Sequence, residues 1–279
     1  MKKKLPIIML FVLSVFILYA SNINLKSLRI PILTYHDITI ETALHSGQVT
    51  KDRFLEDMTY LKEEGYTSLL TSDLEKIMNR EMELPKKPVV ITFDDGYLGN
   101  YLHAYEVLKE TEQKAIIGLI TSNIREVEEE GNPNFMTFAQ CKEMYDSGYV
   151  DIQNHTHDLH NREFLGLINP DGSYNGIQMR DGETVEAYQE RLYTDLHMAT
   201  QLIEEHVGSR VIYFAYPYGA TDKNAYAVLE ETGLQMATTI VEGVADFNRN
   251  IHNLKRRTVT MERSVEELLG STYLAFDLF

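Results

Sequence analysis

Past residue 27 the chain alternates short apolar runs with amphipathic segments, and the spacing within each predicts its element. Ile30–Tyr35, Val89–Phe93, Ala115–Ile120, Val150–Gln153, Val211–Ala215 and Met236–Ile240 read as buried strands. Between them, apolar positions recur at helical spacing over Lys51–Glu64, Ser72–Arg80, Tyr97–Glu110, Phe138–Ser147, Thr184–Val207 and Lys223–Thr232. Gly65, Gly148, Gly208 and Gly233 stand where helices should stop, and Ser72 with Glu75 has the spacing of a capping box. Strand followed by helix, repeated, predicts an α/β fold with a mostly parallel sheet, open or closed into a barrel. In either form, functional side chains gather at the C-terminal ends of the strands.

The first residues break this pattern. Lys2, Lys3 and Lys4 precede sixteen uncharged residues, Leu5 to Ala20, which is the layout of a secretory signal or signal anchor. Spanning a bilayer takes about 20 residues, so the run is short for a span. Leu18, two residues before Ala20, makes a poor cleavage site, and an uncleaved anchor is favoured over a cleaved signal. The lysines would stay in the cytoplasm and everything after Ser21 would be exported. The expected organisation is an anchor or signal over residues 1–27 and one exported domain over 28–279.

Composition narrows what that domain can do. Of 279 residues, 44% are hydrophobic and 24% charged, enough for a buried core. Lys2, Lys3, Lys4 and Lys26 flank the apolar run, so residues 27–279 carry 22 cations against 42 carboxylates, a net −20. Such a body is repelled by phosphate backbones, and nucleic acid is excluded as a partner. The single cysteine, Cys141, rules out an intramolecular disulfide and reads as a small core residue. Any metal site must draw on His, Asp and Glu.

Four polar clusters fall where strands end. Thr92-Phe93-Asp94-Asp95-Gly96 is either a common Asp-Gly turn or a carboxylate pair whose repulsion a cation relieves, leaving one free as a base. Asn154-His155-Thr156-His157-Asp158-Leu159-His160 holds three of the nine histidines, a density that favours a metal site over solvated loop residues. Spacing does not choose the pair: His155 and His157 share a face of an extended strand, whereas His155 and His160 need a turn between them. Tyr213-Phe214-Ala215-Tyr216-Pro217-Tyr218-Gly219 is a turn that packs on the core, or an aromatic wall with a backbone N–H to donate. Leu33-Thr34-Tyr35-His36-Asp37 closes the first strand, where a lone His is more often structural than catalytic. Lys255-Arg256-Arg257 is a solvated edge, or holds a carboxylate. The remaining histidines, His45, His103, His197, His206 and His252, read as surface or helix residues.

TFDDG, the His-rich segment and FAYPYG, in this order, resemble the motifs of the NodB-homology polysaccharide deacetylases over roughly residues 30–265. NHTHDLH is similar to the variant HTYDLH motif, whose two metal-binding histidines stand five apart. With YHD ahead of TFDDG, the chain is similar to the biofilm poly-N-acetylglucosamine deacetylases, in which the motif carrying the catalytic His lies N-terminal. The resemblance implies a distorted (β/α) barrel and one divalent metal, commonly zinc, on Asp95, His155 and His160, with His157 outside the ligand set. It further implies Asp94 as general base, His36 as general acid, and Tyr216, Pro217 and Tyr218 at the substrate, the Tyr218 backbone N–H facing the oxyanion. Two features depart from the family. The third motif usually carries an Arg after the Phe to pair with the base, where this chain has Ala215 and Tyr216; Arg256 is the candidate replacement. With no Trp in the chain, the Trp-bearing fourth motif is absent.

The implied activity is hydrolytic removal of N-acetyl groups from an N-acetylglucosamine-containing glycan outside the cell, with the membrane touched only through the N-terminal helix. The rival is a glycan-binding module that kept the cleft and lost turnover. A phosphoaspartate at Asp94 would need a cytosolic location and phosphate-binding glycines, and neither is evident.

Overall fold

The computed structural model describes residues 28–43, 47–127, 134–160 and 176–276. The anchor or signal expected over residues 1–27 lies outside them, as does His45. Among the described residues no helix is long and apolar enough to cross a membrane.

Seven parallel strands form the frame: β1 (Ile32–Tyr35), β2 (Pro88–Phe93), β3 (Ala115–Leu119), β4 (Val150–Asn154), β5 (Tyr213–Ala215), β6 (Met236–Glu242) and β7 (Leu254–Thr258). Each pairs with the next in sequence, and β7 pairs back onto β1 through Arg257 opposite Leu33 and Thr258 opposite Thr34. The ring is closed, so no edge strand is exposed along it. The β4–β5 contact is the narrowest, a single partner pair of Asn154 and Phe214. Of the two alternatives left by the periodicity, open sheet or barrel, the chain adopts the barrel.

The connecting helices are α1 (Lys51–Glu63), α2 (Thr71–Met78), α3 (Tyr105–Thr111), α4 (Phe138–Asp146), α5 (Val185–His206), α6 (Tyr226–Glu231) and the terminal α7 (Val265–Phe276). Successive strand residues face opposite sides, and the core divides accordingly. Leu33, Ile91, Phe93, Ile117 and Phe214 pack outward with Phe54, Val107, Met144 and Leu196 of the helices. Ile32, Val90, Ile116, Ala215 and Leu254 pack inward with Leu74 and Ile77 of α2. Cys141 is fully buried in α4, and burial pushes its thiol pKa up.

Three elements differ from the sequence pattern. The segment predicted as a helix over Tyr97–Glu110 opens with a π-helical turn, Asn100–Ala104, before α3. Helix α2 starts one residue early: the Asp73 carboxylate accepts the Leu70 N–H at 3.1 Å, and Glu75 instead pairs with Arg210 at 2.6 Å. The Ser72–Glu75 capping box therefore does not form. Strand β7 has no counterpart among the predicted strands. The four expected helix-stop glycines all have left-handed φ, between +73° and +84°.

A candidate metal centre with a buried Asp–Arg pair

The site is built at the C-terminal mouth of the barrel, where β2 gives way to a tight turn. Asp95 and Gly96 take φ of +77° and +86° in succession. Asp is among the few side chains that tolerate this region. A Cβ on Gly96 would lie 2.8 Å from Leu119 Cδ2 and 2.9 Å from Ile124 Cδ1, so the turn requires glycine there. The turn sends the two carboxylates to different partners, which resolves the repulsion expected between them.

Asp94 continues the inward face of β2 and meets Arg256 from β7. The guanidinium donates Nη1 to Asp94 Oδ1 at 2.8 Å and Nη2 to Oδ2 at 2.7 Å, while its Nε donates to the Thr239 carbonyl at 2.8 Å. Arg256 is 1% exposed and Asp94 2%. Burial on its own would raise the Asp94 pKa; Arg256 outweighs it, with His155 and His36 adding, and holds the carboxyl well below the usual range. Arg256 thus pairs with Asp94 and is buried, so the solvated-edge reading of Lys255–Arg257 does not hold for it and the carboxylate-holding one does.

Asp95 faces two imidazoles. Its Oδ1 lies 3.3 Å from His155 Nε2 and 3.4 Å from His160 Nε2, longer than good N–H···O bonds, and this buried oxygen has no hydrogen-bond partner. One ligand atom from each of the three residues falls within 4.8 Å of the others. His155 Nδ1 lies 2.7 Å from the Ala215 carbonyl. A carbonyl only accepts, so Nδ1 carries the hydrogen and Nε2 presents its lone pair to the centre. For His155, burial favours the neutral ring, but Asp94 and Asp95 raise the pKa overall. Burial and His155 press His160 down to about 4, leaving a neutral imidazole at pH 7. A buried, unpartnered carboxylate oxygen beside two imidazole nitrogens is the donor set and the charge that a divalent cation requires.

The other sequence-selected residues divide. His36 follows β1 directly, half-buried, where Asp94 donates its N–H to the Tyr35 carbonyl at 3.1 Å. His157 lies outside the three-residue group, its Nδ1 2.9 Å from Thr121 Oγ1. Tyr218 packs its ring 4.6 Å from that of His160. Tyr216 is 1% exposed and lies edge-on to Phe214 in the outer core, and Pro217 is also buried. The side chain of Tyr216 therefore serves the core, and Tyr218 presents the aromatic face. Sequence reasoning passed over Tyr97, next to the DDG turn. Burial and the Asp95 and Asp37 carboxylates push its hydroxyl up to about 12, and it lines a cleft of about 340 Å³ with Asp37, Gln48, Leu102 and Asn134. Its position directly after Gly96 was the available signal.

A family profile described as polysaccharide deacetylase matches residues 81–237. YxkH of Bacillus subtilis (strain 168), named as a polysaccharide deacetylase, is 30% identical over 236 residues, which is 84% of this chain and 73% of that protein. A poly-β-1,6-N-acetyl-D-glucosamine N-deacetylase of Escherichia coli (strain K12) is 23% identical over 84% of this chain; the match spans only 37% of that longer protein. Among solved structures, a de-N-acetylase from Aggregatibacter actinomycetemcomitans superposes with a TM-score of 0.74 at 22% identity, covering 87% of this chain and 99% of the other, which establishes the shared fold. With its barrel, its ordered motifs and the profile match over more than half its length, the chain belongs to the polysaccharide deacetylase family, a family of hydrolases.

Proposed function

We propose that this chain removes N-acetyl groups from an N-acetylglucosamine-containing polysaccharide outside the cell, with residues 1–27 acting as its signal or anchor. The observation that carries the proposal is the orphaned Asp95 oxygen facing His155 and His160, beside a carboxylate clamped by a buried Arg. In this reading Asp95, His155 and His160 hold one divalent cation, commonly zinc in such donor sets, and His157 stays outside. The cation supplies Lewis acidity toward the acetyl carbonyl and toward water.

The chain's own residues do the rest. Asp94 is ionised at any working pH because Arg256 depresses its pKa, and it accepts the proton of the attacking water. The Arg256 fork fixes both oxygens of that base and prevents it from rotating. The Tyr218 backbone N–H faces the developing oxyanion, and the Tyr218 ring walls the sugar. His36 delivers a proton to the departing amine. Support for the substrate comes from the relative that acts on poly-β-1,6-N-acetyl-D-glucosamine. A glycan-binding module without turnover would give neither the buried Asp94–Arg256 pair nor the orphaned Asp95 oxygen a use, although burying each of these groups carries a desolvation cost.

Acetate release from defined glycans tests the reading. Poly-N-acetylglucosamine oligomers should yield acetate, a chelator should abolish the yield, and added zinc should restore it. No acetate from any N-acetylated glycan in the presence of divalent metal would leave the binding-module reading standing. The ligand assignment is separable: His160→Ala should lose stoichiometric zinc binding, whereas His157→Ala should retain it. The opposite pattern would move the third ligand to His157.

A further inference from the structure

The five-residue step from His155 to His160 forces the chain to leave β4 and double back, and it does so at a costly residue. Thr156 sits at φ +85°, a region that β-branched side chains rarely enter. Such strain persists only where the surroundings over-determine it. Here helix α5 supplies most of the restraint. Asn154 accepts the Thr156 N–H at 2.7 Å and donates its own amide to the Leu196 carbonyl at 2.9 Å and to Thr200 Oγ1 at 3.1 Å. Next to Leu196 on the same helix, the Asp195 carboxylate takes the next two backbone donors, His157 N–H on Oδ1 at 2.8 Å and Asp158 N–H on Oδ2 at 2.7 Å. On the other side Thr121 and Ser122 donate their N–H groups to the carbonyls of Thr156 and His157, both at 3.1 Å.

Asp195 is 9% exposed, and the two N–H groups it binds, those of His157 and Asp158, lie two residues past one candidate ligand and two short of the other. It touches neither imidazole. Its two bonds fix the backbone between them, and with it the distance and angle at which His160 returns to His155. We infer that Asp195 is a positioning residue that sets the metal affinity of the centre by holding the His155–His160 turn closed. This rests on the metal-dependent reading above.

Zinc affinity of the metal-free full chain, measured by competition with a chromogenic chelator, reads the effect without recourse to turnover. Residues that orient metal ligands typically matter by about 10–100-fold in affinity. Asp195→Ala should weaken zinc binding by about that factor, and Asp195→Asn, which keeps one acceptor, should fall between it and the wild type. The control is Asp151, a second buried carboxylate, at the other end of β4, which binds Thr71 N–H at 2.8 Å and Thr71 Oγ1 at 2.6 Å. Asp151→Asn should lower the melting temperature and leave zinc affinity as in the wild type. Affinities for both Asp195 variants within about threefold of the wild type overturn the inference, as does an equal loss in Asp151→Asn. Failure of the wild-type chain to bind zinc removes the metal reading itself and this inference with it.

Discussion

Arg256→Met is expected to destabilise the protein by about 3–5 kcal/mol, because it leaves the Asp94 carboxylate buried without its counter-charge. For a domain of this size that corresponds to a fall in melting temperature of roughly 6–20 °C. Arg256→Lys should recover only part of the loss, since one ammonium cannot supply the paired Nη1 and Nη2 bonds while Nε holds the Thr239 carbonyl. The pH dependence follows from the sign of the Asp94 shift. In the wild type its pKa is lowered below the unfolded value, so its contribution is present above about pH 4 and is lost as pH falls through the folded pKa. Without Arg256, burial loses its main opponent and only His155 and His36 still favour the charged form, so Asp94 becomes a liability above about pH 4 and neutral in effect below it. The gap between wild type and Arg256→Met should therefore narrow as pH is lowered past that point, measured by thermal melts across the range. The double variant Asp94→Leu/Arg256→Met should regain most of the stability and none of the acetate release. A single variant as stable as the wild type at pH 7 would show that the pair is not the buried unit its 2.7–2.8 Å bonds describe.

This pair also marks the limit of what the sequence discloses. Strands β1 to β6 declare themselves because their residues are apolar on the faces that pack, and six of the seven barrel strands follow from runs such as Pro88-Val-Val-Ile-Thr-Phe93. Strand β7 reads Leu254-Lys-Arg-Arg-Thr258, with a buried charge where the pattern needs an apolar residue. Its inward face is Leu254 and Arg256, and only the partner carboxylate 162 residues away makes Arg256 an interior residue. Hydrophobic periodicity has no means of reporting a compensated charge. The same holds for Asp195: on the helical pattern it is one more acid in a 22-residue amphipathic helix, and its value lies in two backbone donors that precede it by 37 and 38 residues. The carboxylates and histidines of the centre are legible because they are contiguous in the chain, whereas what orients them arrives from distant strands and helices. Spacing likewise leaves His157 and His160 open and only the family motif favours His160, because the turn at Thr156 that brings it back is a backbone conformation that residue type alone argues against.

His36→Ala should lower turnover on an N-acetylated glycan by about 10²–10⁴-fold, the usual range for loss of a general acid. An amine is a very poor leaving group unless it is protonated as the carbon–nitrogen bond breaks, so amide hydrolysis needs a proton donor on the side of the carbonyl away from the attacking water. His36 is the candidate: it follows β1 directly, it is half-buried, and its charge is near enough to help lower the pKa of both Asp94 and Asp95. Burial differs between the two groups, Asp94 being sealed at 2% exposure and His36 only half-buried. The alternative is a histidine that merely closes the strand beside Asp37, whose carboxylate already accepts from Gln48 at 2.9 Å. Substrate chemistry separates the two. An aryl acetate expels a phenolate that leaves without a proton, so an enzyme lacking its acid should hydrolyse it nearly as fast as the wild type. The acid role thus predicts a large loss on the acetamide, a small loss on the aryl ester, and unchanged zinc stoichiometry and melting temperature. A structural role predicts equal losses on both substrates with a lowered melting temperature, or no loss of more than a few-fold on either, and each of those results would remove His36 from the mechanism.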